Sequence, residues 1–210
     1  MTDSPDTAGA LATPLDVLEF WIGPARDEPD ELAARHRIWF GKSPEVDREI
    51  AARFLETLGA LAGGLDEVWA ARGPRARLAA IIVLDQFSRN VFRDTPHAFE
   101  HDARARALTH DGLADEADRA LSEVERAFFY MPLEHSESAE DQALSVALYQ
   151  RLAEQARPAF RDFAESTLSY ARRHKAVIDT FGRFPHRNSL LGRPSTREES
   201  TYLAQPGAGF

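Results

Sequence analysis

The sequence contains no cysteine among its 210 residues. Disulfide bonds, thiolate nucleophiles, cysteine-ligated zinc and iron–sulfur clusters are therefore excluded. Residues that favour strands are also scarce, because valine, isoleucine and threonine together number 24 against 34 alanines. Alanine is the strongest helix former, whereas β-branched residues favour strands. This composition predicts a helical protein.

Positive charge is in deficit, with 25 Lys and Arg against 34 Asp and Glu, a net charge of −9. An acidic chain is poorly suited to a nucleic-acid backbone or an anionic membrane surface. No apolar run approaches the ~18 residues of a membrane span. Residues 1–13 also lack the cationic start and apolar stretch of a secretory signal. These absences predict a cytoplasmic protein that binds neither nucleic acid nor membrane.

The length and the hydrophobic share of 43% are typical of an ordinary globular chain with a substantial core. We expect residues 1–13 to form a flexible N-terminus and residues 14–210 to form a single helical domain. Within that domain, the glycines and prolines of residues 182–195 predict a C-terminal loop.

Helix boundaries are marked along the chain by caps and breakers. A serine or threonine before a proline predicts a helix start at Thr13-Pro14, Ser43-Pro44 and Thr95-Pro96. The last of these helices is expected to run to His110 and to close near Gly112. Three further signals are the capping boxes Ser122 with Glu125 and Ser195 with Glu198, and a helix end at Pro132.

No segment alternates with the period of two that a half-buried strand requires. The prediction is an all-α fold of about eight helices, paired as antiparallel hairpins in a tetratricopeptide-like right-handed stack. No repeated 34-residue consensus supports that stack, so a compact irregular bundle is the alternative.

Three segments carry dense polar residues where the chain must turn: residues 85–93, 131–142 and 174–199. The guanidinium group of arginine presents paired N–H donors, and together with amide side chains it suits the binding of anions. The predicted ligand-binding residues are Asp85, Gln86, Arg89, Asn90, Arg93, Arg183, Arg187, Asn188 and Arg193. The predicted acid–base residues, should the protein be an enzyme, are His135, His174, His186 and Glu137.

No metal or organic cofactor is predicted. The chain has no P-loop, no dinucleotide-binding GxGxxG and no GxSxG elbow. The arginines of the polar segments would repel a cation. His97 and His101 have the i, i+4 spacing of a metal clamp, but without a third ligand they are expected to lie at the surface.

The polar segments resemble the DUF924 family of uncharacterised proteins. The resemblance rests on DQFSRN, on PLEHSE followed by DQ, and above all on FGRFPHRNSLLGRPSTREE, with LEFWIG and WFGK earlier in the chain. It covers residues 15–210 and implies an all-α, tetratricopeptide-like fold without an assigned activity. The positions that match are Asp85, Gln86, Arg89, Asn90, Arg93, His135, Glu137, Gln142, His174, Arg183, His186, Arg187, Asn188 and Arg193.

Three functional hypotheses follow. In the first, a polar pocket binds a small anionic ligand or a carboxylate-bearing peptide. In the second, a metal-independent enzyme of the hydrolase or lyase class uses a histidine and a carboxylate on a small anionic substrate. In the third, the polar residues are a salt-bridge network that holds the C-terminal loop to the helices. The oligomeric state is not predicted.

Overall fold

The structure, a computed structural model, describes residues 11–209, and that part of the chain is helical without a strand. The all-α prediction is confirmed. Residues 1–10 of the predicted N-terminal segment lie outside the described residues. Beyond them, the backbone N–H of Ala12 donates to Thr57 Oγ1 over 2.9 Å. The domain boundaries stay a prediction.

The helices follow one another with short connections, several of them 3₁₀ turns. Their bounds are α1 Pro14–Trp21, α2 Leu32–Phe40, α3 Pro44–Ala60, α4 Asp66–Ala70, α5 Pro74–Ile81, α6 Ser88–Val91, α7 Asp102–Ala114, α8 Glu123–Glu134, α9 Ala139–Gln155, α10 Arg161–Phe181 and α11 Arg197–Leu203. The π-helical turn Ile82–Phe87 joins α5 to α6, whereas residues Leu61–Leu65 join α3 to α4 through a kink at Gly64, whose φ is +118°. With each of these two joined pairs counted once, residues 11–209 form nine helices, close to the predicted eight.

Two of the three predicted proline starts are confirmed as α-helix N-termini. Thr13 and Asp16 form a capping box on α1, and Ser43 accepts a hydrogen bond from the backbone of Val46 on α3. The third prediction is wrong, because Thr95-Pro96 opens only a 3₁₀ turn and α7 begins at Asp102.

Helix α7 ends at Ala114, near Gly112 as predicted. Gly112 itself lies inside the helix, where the neighbouring helices leave no room for a side chain: a Cβ there would lie 2.5 Å from the Phe129 ring. Two other predicted boundaries are wrong. Pro132 lies inside α8, two residues before its last residue Glu134, and removes the one helical hydrogen bond that its own N–H would have donated. The last capping box joins Thr196 to Glu199, one residue beyond the predicted pair.

The most apolar helix, α5 with its π-helical extension into α6, lies at the centre of the core and is called the central helix below. Residues 78–88 are all buried. Trp21 packs edge-on against Phe87 and Phe128, with ring centroids 5.3 and 5.9 Å apart. The buried C-terminal part of this helix therefore includes the polar residues Asp85, Gln86 and Ser88.

Consecutive helices α8, α9 and α10 pack side by side, and α5 also packs against α7 and α8. This packing brings the C-terminal end of α8 close to the end of the central helix and to the middle of α10. The tetratricopeptide-like right-handed stack stays a prediction. Within residues 11–209, no helix combines the length and apolar character needed to cross a membrane.

Candidate functional site

The centre of the site is a contact between a buried carboxylate and a histidine. Asp85 lies on the π-helical turn at the end of the central helix, a kind of turn that is frequent at functional sites. His135 is the C-cap residue of α8, and its Nδ1 lies 2.8 Å from Asp85 Oδ1. The Asp85 side chain is 1% exposed and that of His135 is 17% exposed. The carboxylate is therefore the floor of the site, and the imidazole reaches its surface.

Charged and polar neighbours keep Asp85 ionised. Arg89 Nη1 lies 3.0 Å from its Oδ1, and Gln86 Nε2 donates to its Oδ2 over 2.5 Å. Burial opposes ionisation, but Arg89 and His135 outweigh it and hold the pKa of Asp85 well below its usual range. Burial also lowers the pKa of His135, with a further contribution from Arg89.

These shifts define the protonation state of the pair at neutral pH. An ionised carboxylate accepts hydrogen bonds only, so Nδ1 of the neutral imidazole carries the proton. No described residue hydrogen-bonds to Nε2, and that nitrogen is not among the buried polar atoms that lack a partner. His135 therefore presents an unprotonated nitrogen at the surface of the site.

Asp102, at the first position of α7, is the second carboxylate that contacts Arg89. It accepts two parallel hydrogen bonds from Arg89, of 2.8 and 2.9 Å. The Arg89 side chain is 20% exposed and that of Asp102 is 23% exposed. With His135, these two residues form the rim of the site.

Arg187, on the 3₁₀ turn Pro185–Arg187, is the least satisfied cation of the site. Its Nη2 donates to the backbone oxygen of His135 over 2.9 Å, while Nη1 lies 3.5 Å from Asp102. Its buried Nε has no hydrogen-bond partner within residues 11–209. The guanidinium lies between the rings of Phe99 and Phe184, 4.7 and 4.6 Å from their centroids. Burial and then Arg89 lower the pKa of Arg187 to about 10.

A second histidine and carboxylate lie behind this centre. His174 Nδ1 lies 3.0 Å from the backbone oxygen of Tyr170 and 3.1 Å from Glu134 Oε1. Burial is the main cause of both pKa shifts here, raising that of Glu134 to about 8 and lowering that of His174 to about 3. Both groups are therefore neutral at pH 7. The rings of His135 and His174 have centroids 6.2 Å apart.

The remaining predicted residues of the C-terminal loop mostly bind other parts of the chain. Arg193 makes two hydrogen bonds to Glu137, of 2.7 and 3.0 Å, and a third to Asn188. Arg183 makes two to Glu199, of 2.6 and 2.8 Å. These contacts fix the loop onto the connection between α8 and α9 and onto α11.

His186 packs against Phe184, with ring centroids 5.6 Å apart, and burial lowers its pKa to about 4. Arg93 and Asn90 turn away from His135. Arg93 donates to Asp47 of α3 in two hydrogen bonds of 2.7 Å, and Asn90 donates to the same carboxylate over 2.8 Å.

The structure thus brings part of the predicted set together. The residues that meet around one centre are Asp85, Gln86, Arg89, His135 and Arg187, with His174 adjacent. Glu137, Arg183, Asn188 and Arg193 form the attachment of the loop, and Asn90 and Arg93 form a separate contact with α3.

Sequence reasoning missed three acidic partners of the predicted arginines: Asp102, Asp47 and Glu199. Asp102 and Asp47 stand in the first turns of α7 and α3, where an acid is favoured by the helix dipole alone. Neither lies in a polar segment, so no local signal marks them. Glu199 lies inside the third segment, and its position three residues after Thr196 is the capping-box pattern that could have identified it.

Among residues 11–209, no group of three or more His, Asp or Glu side chains is placed to hold a metal ion. His97 contacts Glu100 over 2.9 Å, and its side chain is 66% exposed, as expected for a surface residue.

Comparison with known proteins gives two matches. The sequence profile described as "Bacterial protein of unknown function (DUF924)" matches residues 17–207. The fold is similar to that of a protein of unknown function from Agrobacterium tumefaciens, with a TM-score of 0.76 and 33% sequence identity. That alignment covers 92% of this chain and 97% of the other. None of the curated proteins matches the chain.

Proposed function

Because the chain belongs to the DUF924 family of bacterial proteins of unknown function, we propose a function from its own residues: metal-independent acid–base catalysis on a small anionic substrate. The observation that carries this proposal is the 2.8 Å contact between His135 Nδ1 and the buried carboxylate of Asp85. It leaves Nε2 at the surface without a partner among the described residues.

His135 is the proton acceptor in this proposal. A carboxylate on one ring nitrogen fixes the tautomer and orientation of a histidine, which makes the other nitrogen an effective base. When Nε2 takes a proton from water or from the substrate, Asp85 stabilises the resulting imidazolium. Since burial and Arg89 lower its pKa, His135 is unprotonated and ready to act at neutral pH.

Arg187 is the residue that would hold the anionic group of the substrate. Its nearest carboxylate, at 3.5 Å, is more distant than a strong charge-assisted hydrogen bond. Asp102 is already engaged by both nitrogens of Arg89. An incoming carboxylate or phosphate would therefore gain more from Arg187, which contacts the backbone of His135, than from any other arginine of the cluster.

The same contacts argue against the broader anion pocket that the sequence predicts. Arg89, Arg93, Arg183 and Arg193 each donate two hydrogen bonds to carboxylates of the chain. An anion would have to displace those partners. For Arg183 and Arg193, the geometry favours the third hypothesis, in which the arginines attach the C-terminal loop.

The test is a thermal-shift screen of the full chain against small carboxylates and phosphate esters, followed by turnover assays on each compound that raises the Tm. Arg187→Gln should abolish the shift. His135→Gln should keep some binding but lose turnover. The control is Arg197→Gln, an exposed arginine of α11, which should behave as wild type.

Each outcome bears on the proposal. A wild-type shift that Arg187→Gln removes, together with turnover that His135→Gln removes, supports it. Binding without turnover of any compound overturns the catalytic part and leaves a binding protein. The absence of any shift, or an equal loss in Arg197→Gln, overturns the proposal as a whole.

A further inference from the structure

We propose that a second cleft, formed by α8, α9 and the 3₁₀ turn Ala117–Ala120, binds a small doubly charged oxyanion. The cleft has a volume of about 260 Å³. It shares no residue with the His135 site, so this inference is independent of the function proposed above. Its polar lining consists of Asp118, Arg119, Arg126, Tyr130, Arg151 and Gln155.

The charge of the lining points to an anion. Three arginines face one carboxylate, which leaves a local charge of +2 in a chain whose net charge is −9. A dianion would neutralise that excess. Arginine suits this role because its planar fork binds the oxygens of phosphate and carboxylate groups in pairs.

The acidic groups near the cleft only partly compensate these arginines. Asp118 is buried and accepts a hydrogen bond of 2.6 Å from the Tyr130 hydroxyl. Arg151 Nη2 lies 3.7 Å from Asp118, beyond hydrogen-bond distance. Arg119 pairs with Glu116 over 2.7 Å, but both side chains are more than half exposed, so that pair contributes little.

Arg126 is held in place before any ligand binds. Its Nε donates to the backbone oxygens of Asp118 and Leu121, each over 3.0 Å, and Nη2 reaches the oxygen of Arg119. A fixed guanidinium loses little conformational entropy on binding, which favours affinity. The side chains of Arg119 and Arg151, 70% and 58% exposed, are free to move onto an anion that Arg126 has bound.

The experiment is isothermal titration calorimetry of the full chain at low ionic strength, with inorganic phosphate and with succinate as separate dianions. Acetate serves as the singly charged comparison. We expect saturable binding of at least one dianion and much weaker binding of acetate. Arg119→Gln combined with Arg151→Gln should weaken dianion binding at least tenfold, because two of the three cations are lost.

Two control variants test whether the dianion binds in this cleft. Arg161→Gln removes an exposed arginine from α10 and should leave binding unchanged. Arg187→Gln removes the anion-binding residue of the site proposed above, so dianion binding that persists in this variant belongs to the cleft. The proposal is overturned if neither dianion binds saturably, or if Arg161→Gln weakens binding as much as the double variant. Binding of phosphate alone supports it and restricts the ligand to a tetrahedral oxyanion.

Discussion

At the residue scale, Asp85 is the group whose burial is hardest to explain by stability alone. A fully buried carboxylate costs several kcal/mol in lost hydration unless charges and hydrogen bonds compensate it. Here Arg89, Gln86 and His135 do so. An apolar residue at this position of the core would need none of them. The burial of Asp85 therefore supports the function proposed for it.

Gly112 shows how closely the helices around the site are packed. A Cβ at this position would lie 2.5 Å from the Phe129 ring and 2.7 Å from Arg77 Cδ. Gly112→Ala should therefore destabilise the protein by about 1–3 kcal/mol through overpacking. The measurement is urea unfolding followed by circular dichroism.

The matched control for that prediction is Gly59→Ala on α3, where an added Cβ meets nothing within 4 Å. This change should stabilise the protein by about 0.5–1 kcal/mol, because alanine favours helix over glycine. If Gly112→Ala proved as stable as Gly59→Ala, α7 could not pack against α8 as closely as these distances require.

At the element scale, the C-terminal segment depends on Glu199. This carboxylate, in the first turn of α11, accepts hydrogen bonds from Arg183, Asn188 and the backbone of Thr196. Glu199→Gln keeps the size of the side chain but removes its charge. We expect backbone amides of residues 183–203 to exchange with deuterium on the order of tenfold faster, because charged hydrogen bonds are the stronger kind.

Exchange in α8 and α9 should stay at wild-type rates, since those helices have their own core. Glu198→Gln, at the exposed neighbouring position, is the control and should leave exchange in residues 183–203 unchanged. Wild-type rates in Glu199→Gln would show that the segment is held by other contacts.

Helix starts with a side-chain cap were the most predictable boundaries. Caps such as Thr13, Ser43 and Ser122 act within one turn, so the sequence carries the whole signal. Pro132 was misread because α8 continues two residues beyond it, to Glu134. The sequence predicted the arginines and His135 of the site, because these residues lie in the polar segments.

The pairing of those residues was not predictable. Asp102 is 13 residues from Arg89 and 85 from Arg187, and Asp47 is 46 from Arg93. Contacts of that separation depend on how the helices pack. The prediction from the sequence therefore missed Asp47 and Asp102, and it assigned to a ligand several arginines that bind within the chain.

At the scale of the whole molecule, the pH dependence of stability should contain a contribution from Glu134. Its pKa is about 8 in the folded protein, raised from 4.5 by burial. Between pH 4.5 and 8 the unfolded chain has released this proton while the folded protein retains it. The contribution of Glu134 to the free energy of unfolding is thus highest below pH 4.5 and declines as the pH rises to about 8.

Glu134→Gln stays neutral at every pH and keeps an oxygen toward His174. The variant should therefore have a Tm several °C above wild type at pH 8, with a smaller difference at pH 5. The measurement is differential scanning calorimetry at both values, with Glu140→Gln, an exposed acid of α9, as control. A difference independent of pH would contradict a raised pKa of Glu134.

The most direct test of the central claim is the NMR titration of His135 in wild type and in Asp85→Asn, with ¹⁵N-labelled histidine. In wild type we expect a neutral ring at pH 7, with the proton on Nδ1 and a pKa below 6.5. Loss of the carboxylate should lower that pKa further and mix the two tautomers. A wild-type ring protonated on Nε2, or one unaffected by Asp85→Asn, would contradict the role of His135 as a base held by Asp85.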